Sequence, residues 1–266
     1  MRDLVADQLM ALMEAGSGRP DADRAQLMLA WGYPERKWQD IAALAVGARD
    51  AMLFRLRQRL FGNRSKLSCH CPQCQANFEF DADISDILAV TDGTDFSRQS
   101  PGCDGAEEMH QGLKVKAGRG FLYLRPVSGR DLAALPAHLS EDEAVRFLVA
   151  RAIVSATGSS GKPVPVPPPG DLKENWIEAA EAALAKKDPL SVVAFGLACA
   201  DCNHEWRAFF DAAQLLWGEL RAENDAVLEE IHLLAKNYGW SEADIVAIPQ
   251  ARRRAYANKL SERNDD

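Results

Sequence analysis

Basic residues are in the minority in this sequence. Lysine and arginine number 31 against 39 aspartates and glutamates, a formal net charge of −8 with an isoelectric point near 5.2. Such a chain has no overall attraction for a phosphate backbone or an anionic membrane surface, so neither nucleic acid nor membrane is an expected partner. Long apolar runs are also missing: the longest, "IAALAV" at 41–46 and "VVAFGLACA" at 192–200, fall far short of the roughly 20 residues that cross a bilayer. The first residues, "MRDLVADQLMALME", carry acids where a secretory signal has a basic region followed by an apolar run, and so read as a helix of a cytoplasmic protein. The usual catalytic signatures are absent as well. There is no H-E-x-x-H pattern, "ATGSSGKPV" has Ala156 and Pro163 where a phosphate-binding loop needs glycine and a hydroxyl, and Glu107 and Glu108 lie in a polar segment without a visible partner. Neither an enzyme nor a small-molecule substrate is indicated, and no unit of solenoid length repeats.

What is present begins with helices. Residues 1–66 read as an all-helical region, with Leu4, Val5, Leu9, Leu12 and Met13 at helical spacing, then helices through "ADRAQLMLAW", "PERKWQDIAALAV" and "ARDAMLFRLRQRL" up to the stop "FGN". On the last of these Met52, Leu53, Leu56 and Leu60 form the buried stripe, and Arg55, Arg57 and Arg59 are expected to face water. From residue 67 the period changes, and "KLSCHCPQCQANFEFD" alternates about a tight turn as a hairpin over 67–81 does. A turn-rich loop follows in "DGTDFSRQSPGCDGAEEMHQG", then two strands in "LKVKAGRGFLYLRPV" and helices at "SGRDLAALPAHL" and "SEDEAVRFLVARAIV", the latter opened by the capping pattern Ser140-x-x-Glu143. The run "GKPVPVPPPG" cannot join a helix or a central strand and reads as a stiff connection. After a helix through "NWIEAAEAALAKK", a second hairpin is expected over 191–210, and Asp211 caps a C-terminal helical region, 211–266.

Cysteine is scarce, with six in 266 residues, and three of them fall in "CHCPQC" at 69–74. Cys71-x-x-Cys74 has the spacing of Cys199-x-x-Cys202 on the second hairpin, so four thiols can meet at one point as the tetrahedral Zn2+ site of a zinc ribbon. Both pairs are followed by aromatic residues at alternate positions that can cover a metal. The 124 residues between Cys74 and Cys199 are the objection. Closing that loop costs about 4 kcal/mol plus a constant, against an apparent zinc binding energy of about 10 to 16 kcal/mol. The expected fold is therefore α+β and mainly helical, with a zinc-ribbon domain over 67–210 that carries an αβ insertion at 90–190. The metal is structural, since four thiolates leave no open position. A local site using Cys69, Cys71 and Cys74, ligation by His70 or His204, and disulfides between the same pairs remain as rival readings. Cys103 reads as a free thiol.

The final block, "IHLLAKNYGWSEADIVAIPQARRRAY", places Ile231, Leu234 and Tyr238 on one side of a helix, caps a new helix with Ser241, and ends in Arg252, Arg253 and Arg254. Trp240 and Tyr256 beside those arginines suit a protein-binding surface; packing of the last helix to the body accounts for them equally well. The arginines are also the one basic strip that a nucleic-acid-binding zinc-ribbon regulator would use.

The order of these features, "GARDAMLFRLRQRLFG", "CPQC" with "FEFD", a variable middle, "CADCNHEW" with "FFD" and "LLWGEL", and then the final block, resembles the baseplate hub assembly proteins of T-even-type contractile phages, with relatives in contractile injection system gene clusters. It covers most of the chain outside 90–190. The resemblance implies a chaperone-like factor or minor component of the central baseplate, with hub or spike proteins as partners and no reaction. Cys69, His70 and the proline-rich middle depart from the family pattern.

Overall fold

The computed structural model describes residues 5–90 and 112–262. The turn-rich loop, Cys103 and the Glu107–Glu108 pair lie outside the described residues. Within them the fold is mixed α+β, with no helix long and apolar enough to cross a membrane.

Four helices open the described chain: α1 (Ala6–Gly16), α2 (Asp21–Gly32), α3 (Trp38–Ala43) and α4 (Val46–Phe61). Leu9 and Leu12 are buried on α1, whereas Val5 is 47% exposed and leaves the apolar stripe that its spacing suggested. The expected single helix over 34–46 is broken. Leu44 and Ala45 are extended because they pair with a distant segment: Val46 N donates to Val127 O at 2.9 Å and Gly129 N to Leu44 O at 3.1 Å. Local propensity yields there to tertiary hydrogen bonds.

Hairpin β1 (Arg64–His70)–β2 (Asn77–Asp83) follows, then α5 (Ile84–Ala89). A four-stranded antiparallel sheet is built from β3 (Leu113–Ala117), β4 (Gly120–Leu124), β5 (Ile153–Thr157) and β6 (Pro163–Val164), with α6 (Gly129–Ala133) and α7 (Glu141–Ala152) between β4 and β5. Ser140 and Glu143 form the expected capping box on α7. That helix stops at Ala152, sooner than expected, because the β-branched Ile153 and Val154 enter the sheet beside β4. The proline run touches the sheet at its edge only, in the two residues of β6, as the missing donor of proline requires.

The remaining elements are α8 (Glu174–Lys187), hairpin β7 (Val193–Ala198)–β8 (Glu205–Phe210), and helices α9 (Ala212–Tyr238), α10 (Glu242–Val246) and α11 (Gln250–Glu262). Asp211 caps α9 as expected, accepting from Ala213 N at 2.7 Å and Gln214 N at 2.9 Å.

Apolar residues gather into three clusters. The first packs α1, α2, α4 and α5 against the start of α9, where Leu216, Trp217 and Leu220 complete it. Leu122, Leu124 and Val149 of the sheet and α7 meet Trp176 and Ile177 of α8 in the second. The third joins Val227, Ile231 and Leu234 of α9 to Ile245 and Leu260. Between α4 and α9 lies an ion pair that the periodicity hides. Arg57, expected to face water, is 4% exposed and donates to Glu219 through Nη2 (2.7 Å) and Nε (2.9 Å) and to Gly62 O through Nη1 (2.7 Å). The reason is α9, which covers a face of α4 that the α4 sequence alone marks as polar.

Candidate metal centre

Each hairpin turns through the same short loop. After β1, Cys71 N donates to Ala76 O (3.0 Å) and Gln75 N to Cys71 O (2.9 Å); after β7, Cys199 N donates to His204 O and Asn203 N to Cys199 O, both at 2.9 Å. Gln75 (φ 62°) and Asn203 (φ 57°) take the left-handed conformation that lets the chain return immediately after the second cysteine. Local turn chemistry thus points both sulfurs of a pair to one side.

The two loops face each other. Cys71 Sγ lies 3.7 Å from Cys202 Sγ and Cys74 Sγ 3.6 Å from Cys199 Sγ, and all four sulfurs lie within 4.8 Å of one another. Among the described residues this is the cluster of cysteine, histidine and carboxylate side chains able to hold a metal ion. Cys71 and Cys199 are buried, Cys202 is half-buried and Cys74 is exposed, so the centre sits at the rim of the paired hairpins. Beneath it the hairpins meet through rings: Phe78 against Trp206 at 5.9 Å, Phe80 against Phe195 at 5.2 Å and Phe210 at 5.7 Å. These edge-to-face contacts hold the two faces in register.

The thiols are not equivalent. Burial opposes a thiolate at Cys71, yet the backbone N–H groups of Cys74 and Gln73 and the thiols of Cys74 and Cys202 outweigh it and bring it down to about 7. At Cys202 the backbone N–H of His204 favours the thiolate, but burial and the three other thiols push it up to about 12. The surroundings thus favour a thiolate at Cys71 and oppose one at Cys202. A cation that displaces the remaining protons relieves that conflict.

No family model, curated protein or solved structure matches this chain. The centre is therefore described by its own chemistry. Cys69 lies on β1 outside the cluster, and its thiol is raised by burial and by the neighbouring Cys71. His70 is exposed, and His204 stacks on Trp206 with ring centroids 6.2 Å apart. Neither belongs to the metal-holding group, and the described cysteines are free thiols.

The final block is arranged differently from its expected use as a surface. Arg253 is 2% exposed and donates from Nε to Glu230 at 2.5 Å, which removes it from any partner surface. Arg254, also exposed, pairs with both Glu223 and Glu230, leaving Arg252 as the member of the strip with no ion pair among the described residues. A basic strip is thereby largely neutralised by α9. Trp240 stacks on Tyr238 at 4.7 Å and meets Tyr256 edge-on at 5.5 Å, both half-buried, while Tyr238 itself is 40% exposed.

Two further features stand outside the motifs named above. Asp131, 1% exposed, accepts from Arg125 (Nη1 2.6 Å, Nη2 2.9 Å), Arg151 Nε (2.8 Å) and the N and Oγ of Ser128. The second is an internal correspondence at a constant spacing. Cys199, Cys202, Asn203 and Trp206 stand 128 residues after Cys71, Cys74, Gln75 and Phe78, and Asp211, which caps α9, stands 128 after Asp83, which caps α5. That spacing is readable in the sequence once the turns are aligned.

Proposed function

We propose that this chain is a zinc-stabilised protein-binding factor, without enzymatic activity, that acts in assembling the baseplate hub of a contractile phage tail or injection system, as assembly chaperone or minor baseplate component. The observation that carries the reading is the convergence of four thiols from two segments 124 residues apart. Tetrahedral zinc with Zn–S bonds of about 2.3 Å requires sulfurs about 3.8 Å apart, and the separations of 3.6 and 3.7 Å fit that figure closely. Two facing Cys-x-x-Cys hairpins make a zinc ribbon of this arrangement. With all four positions taken by sulfur, the ion serves structure and leaves no place for substrate.

The assembly role rests on the order of sequence features that resembles the baseplate hub assembly family, and it names hub or spike subunits as partners. The test is a pull-down of the tagged chain from cells that express its own gene neighbourhood, with mass spectrometry of what is bound. Enrichment of hub or spike subunits is the expected result. Recovery of nucleic acid with no baseplate subunit would replace this reading by that of a nucleic-acid-binding regulator.

A further inference from the structure

The net charge of −8 is not spread evenly. Residues 112–130 hold five cations (Lys114, Lys116, Arg119, Arg125, Arg130) and no acid, and residues 151–170 add Arg151 and Lys162, again without an acid. Together these stretches form the sheet β3–β4–β5–β6. Arg125 and Arg151 are spent on Asp131, and Arg130 donates to Gln39 O. Lys114, Lys116, Arg119 and Lys162 are exposed and form no ion pair among the described residues.

One face of the sheet is closed by α7 and α8. On the other, the register sets Lys114 opposite Tyr123 and Lys116 opposite Phe121, so cations and rings alternate. Lys114 Nζ lies 4.4 Å from the Phe121 ring centroid and 5.8 Å from that of Tyr123. Phe121 is 37% exposed, as its place on the face opposite buried Leu122 requires. The neighbouring residues on this face, Ser155 and Thr157, are small and uncharged. At one end of the sheet the β3–β4 turn, Gly158 and Ser159 border a cavity of about 640 Å³ that also takes in Arg119 and Lys173.

We propose that the open face of this sheet binds single-stranded nucleic acid without sequence preference, with bases stacked on Phe121 and Tyr123 and phosphates held by Lys114, Lys116 and Arg119. Every base has a face to stack, and a row of cations beside exposed rings is how sequence-tolerant single-strand sites are built. An acidic protein partner suits the patch less well, because lysine is depleted from protein interfaces. Screening over a Debye length of about 8 Å at physiological salt weakens the pull of distant acids; Asp171 is the acid that lines the cavity beside Arg119. The inference is independent of the assembly role and adds an activity that the net charge of the whole chain hides.

The test is fluorescence anisotropy of a labelled oligothymidine of about a dozen nucleotides, long enough for a single-strand site, against the full zinc-loaded chain from about 50 to 200 mM salt. Binding that weakens with salt is expected. Lys114→Gln with Lys116→Gln lowers the slope of log affinity against log salt by about 0.7 per lysine. Phe121→Ala weakens binding about 5- to 100-fold and leaves the slope unchanged. All three side chains are exposed, so circular dichroism is expected to show unchanged folds. No binding at the lowest salt, equal competition by polyglutamate of the same charge, or wild-type affinity in Phe121→Ala would each overturn the proposal. The probe is synthetic, so these outcomes stand whether or not baseplate subunits are captured.

Discussion

Replacing Cys199 and Cys202 together by serine removes half of the sulfur donors while leaving β7–β8 its ring contacts with β1–β2. The size of the effect follows from the loop that the metal closes. With 124 residues between Cys74 and Cys199, bringing the ends together costs about 4 kcal/mol plus a constant. Structural zinc supplies about 10 to 16 kcal/mol, so the metal leaves a surplus of roughly 6 to 12 kcal/mol, comparable with the whole stability of an ordinary domain. The aromatic pairs that survive, Phe78–Trp206, Phe80–Phe195 and Phe80–Phe210, offer about 0.5 to 1.5 kcal/mol each beyond their buried area. They cannot make up the difference. The double variant is expected to hold no zinc and to lose its cooperative thermal transition, whereas the wild type holds one equivalent. Metal content by mass spectrometry and near-ultraviolet circular dichroism read the two effects separately. One full equivalent of zinc in the variant would refute the shared centre in favour of a local site on Cys69, Cys71 and Cys74. A metal-free wild type that melts within a few degrees of the loaded protein would refute the tether.

Three further outcomes test the packing around that centre. A Cβ at Gly16 would overlap the Trp217 ring in the first core, so Gly16→Ala is expected to lower stability by about 1 to 3 kcal/mol in urea unfolding; an unchanged midpoint would mean that α1 and α9 can separate freely. Asp131→Asn breaks a buried node with two arginines and is expected to cost about 3 to 5 kcal/mol. Burial works against the Asp131 carboxylate, but Arg125, Ser128 and Arg151 hold it well below the usual carboxylate range. Its contribution is therefore complete above the unfolded value near pH 4 and is lost as pH falls toward the depressed folded value, so wild type and variant converge in acid melts. Arg253→Ala, which leaves Glu230 without its buried partner, is expected to cost several kcal/mol, and Arg252→Ala, at an exposed site, to stay within about 0.5 kcal/mol. Equal melting temperatures for these two variants would contradict the buried pair.

The four sulfurs were legible because turn chemistry is local: a Cys-x-x-Cys pair flanked by alternating residues specifies its own loop, and two such loops with one spacing are a small search. Asp211, Ser140 and Glu143 were legible for the same reason, since a cap acts within three residues of itself. What escaped was set by distant partners. Arg57 reads as polar on α4 until Glu219, 162 residues later, arrives to bury it. Arg253 reads as one of three equivalent arginines until α9 selects it for the interior. The break at Leu44–Ala45 depends on Val127 and Gly129, which no window around α3 contains. The basic sheet face was hidden in a different way, because a net charge averages over the stretches that compose it.

The constant spacing of 128 residues between the two knuckles also sets a timetable. At about 5 to 20 residues per second, a ribosome delivers Cys71 and Cys74 roughly 6 to 25 seconds before their counterparts. Through that interval the first knuckle holds only two of the four sulfurs of the cluster, and the N-terminal helices wait as well, because Leu216, Trp217 and Leu220 of their core follow the second knuckle. On the zinc reading proposed above, metal capture and closure of the first core thus fall at the same stage of synthesis, after about three-quarters of the chain has been made.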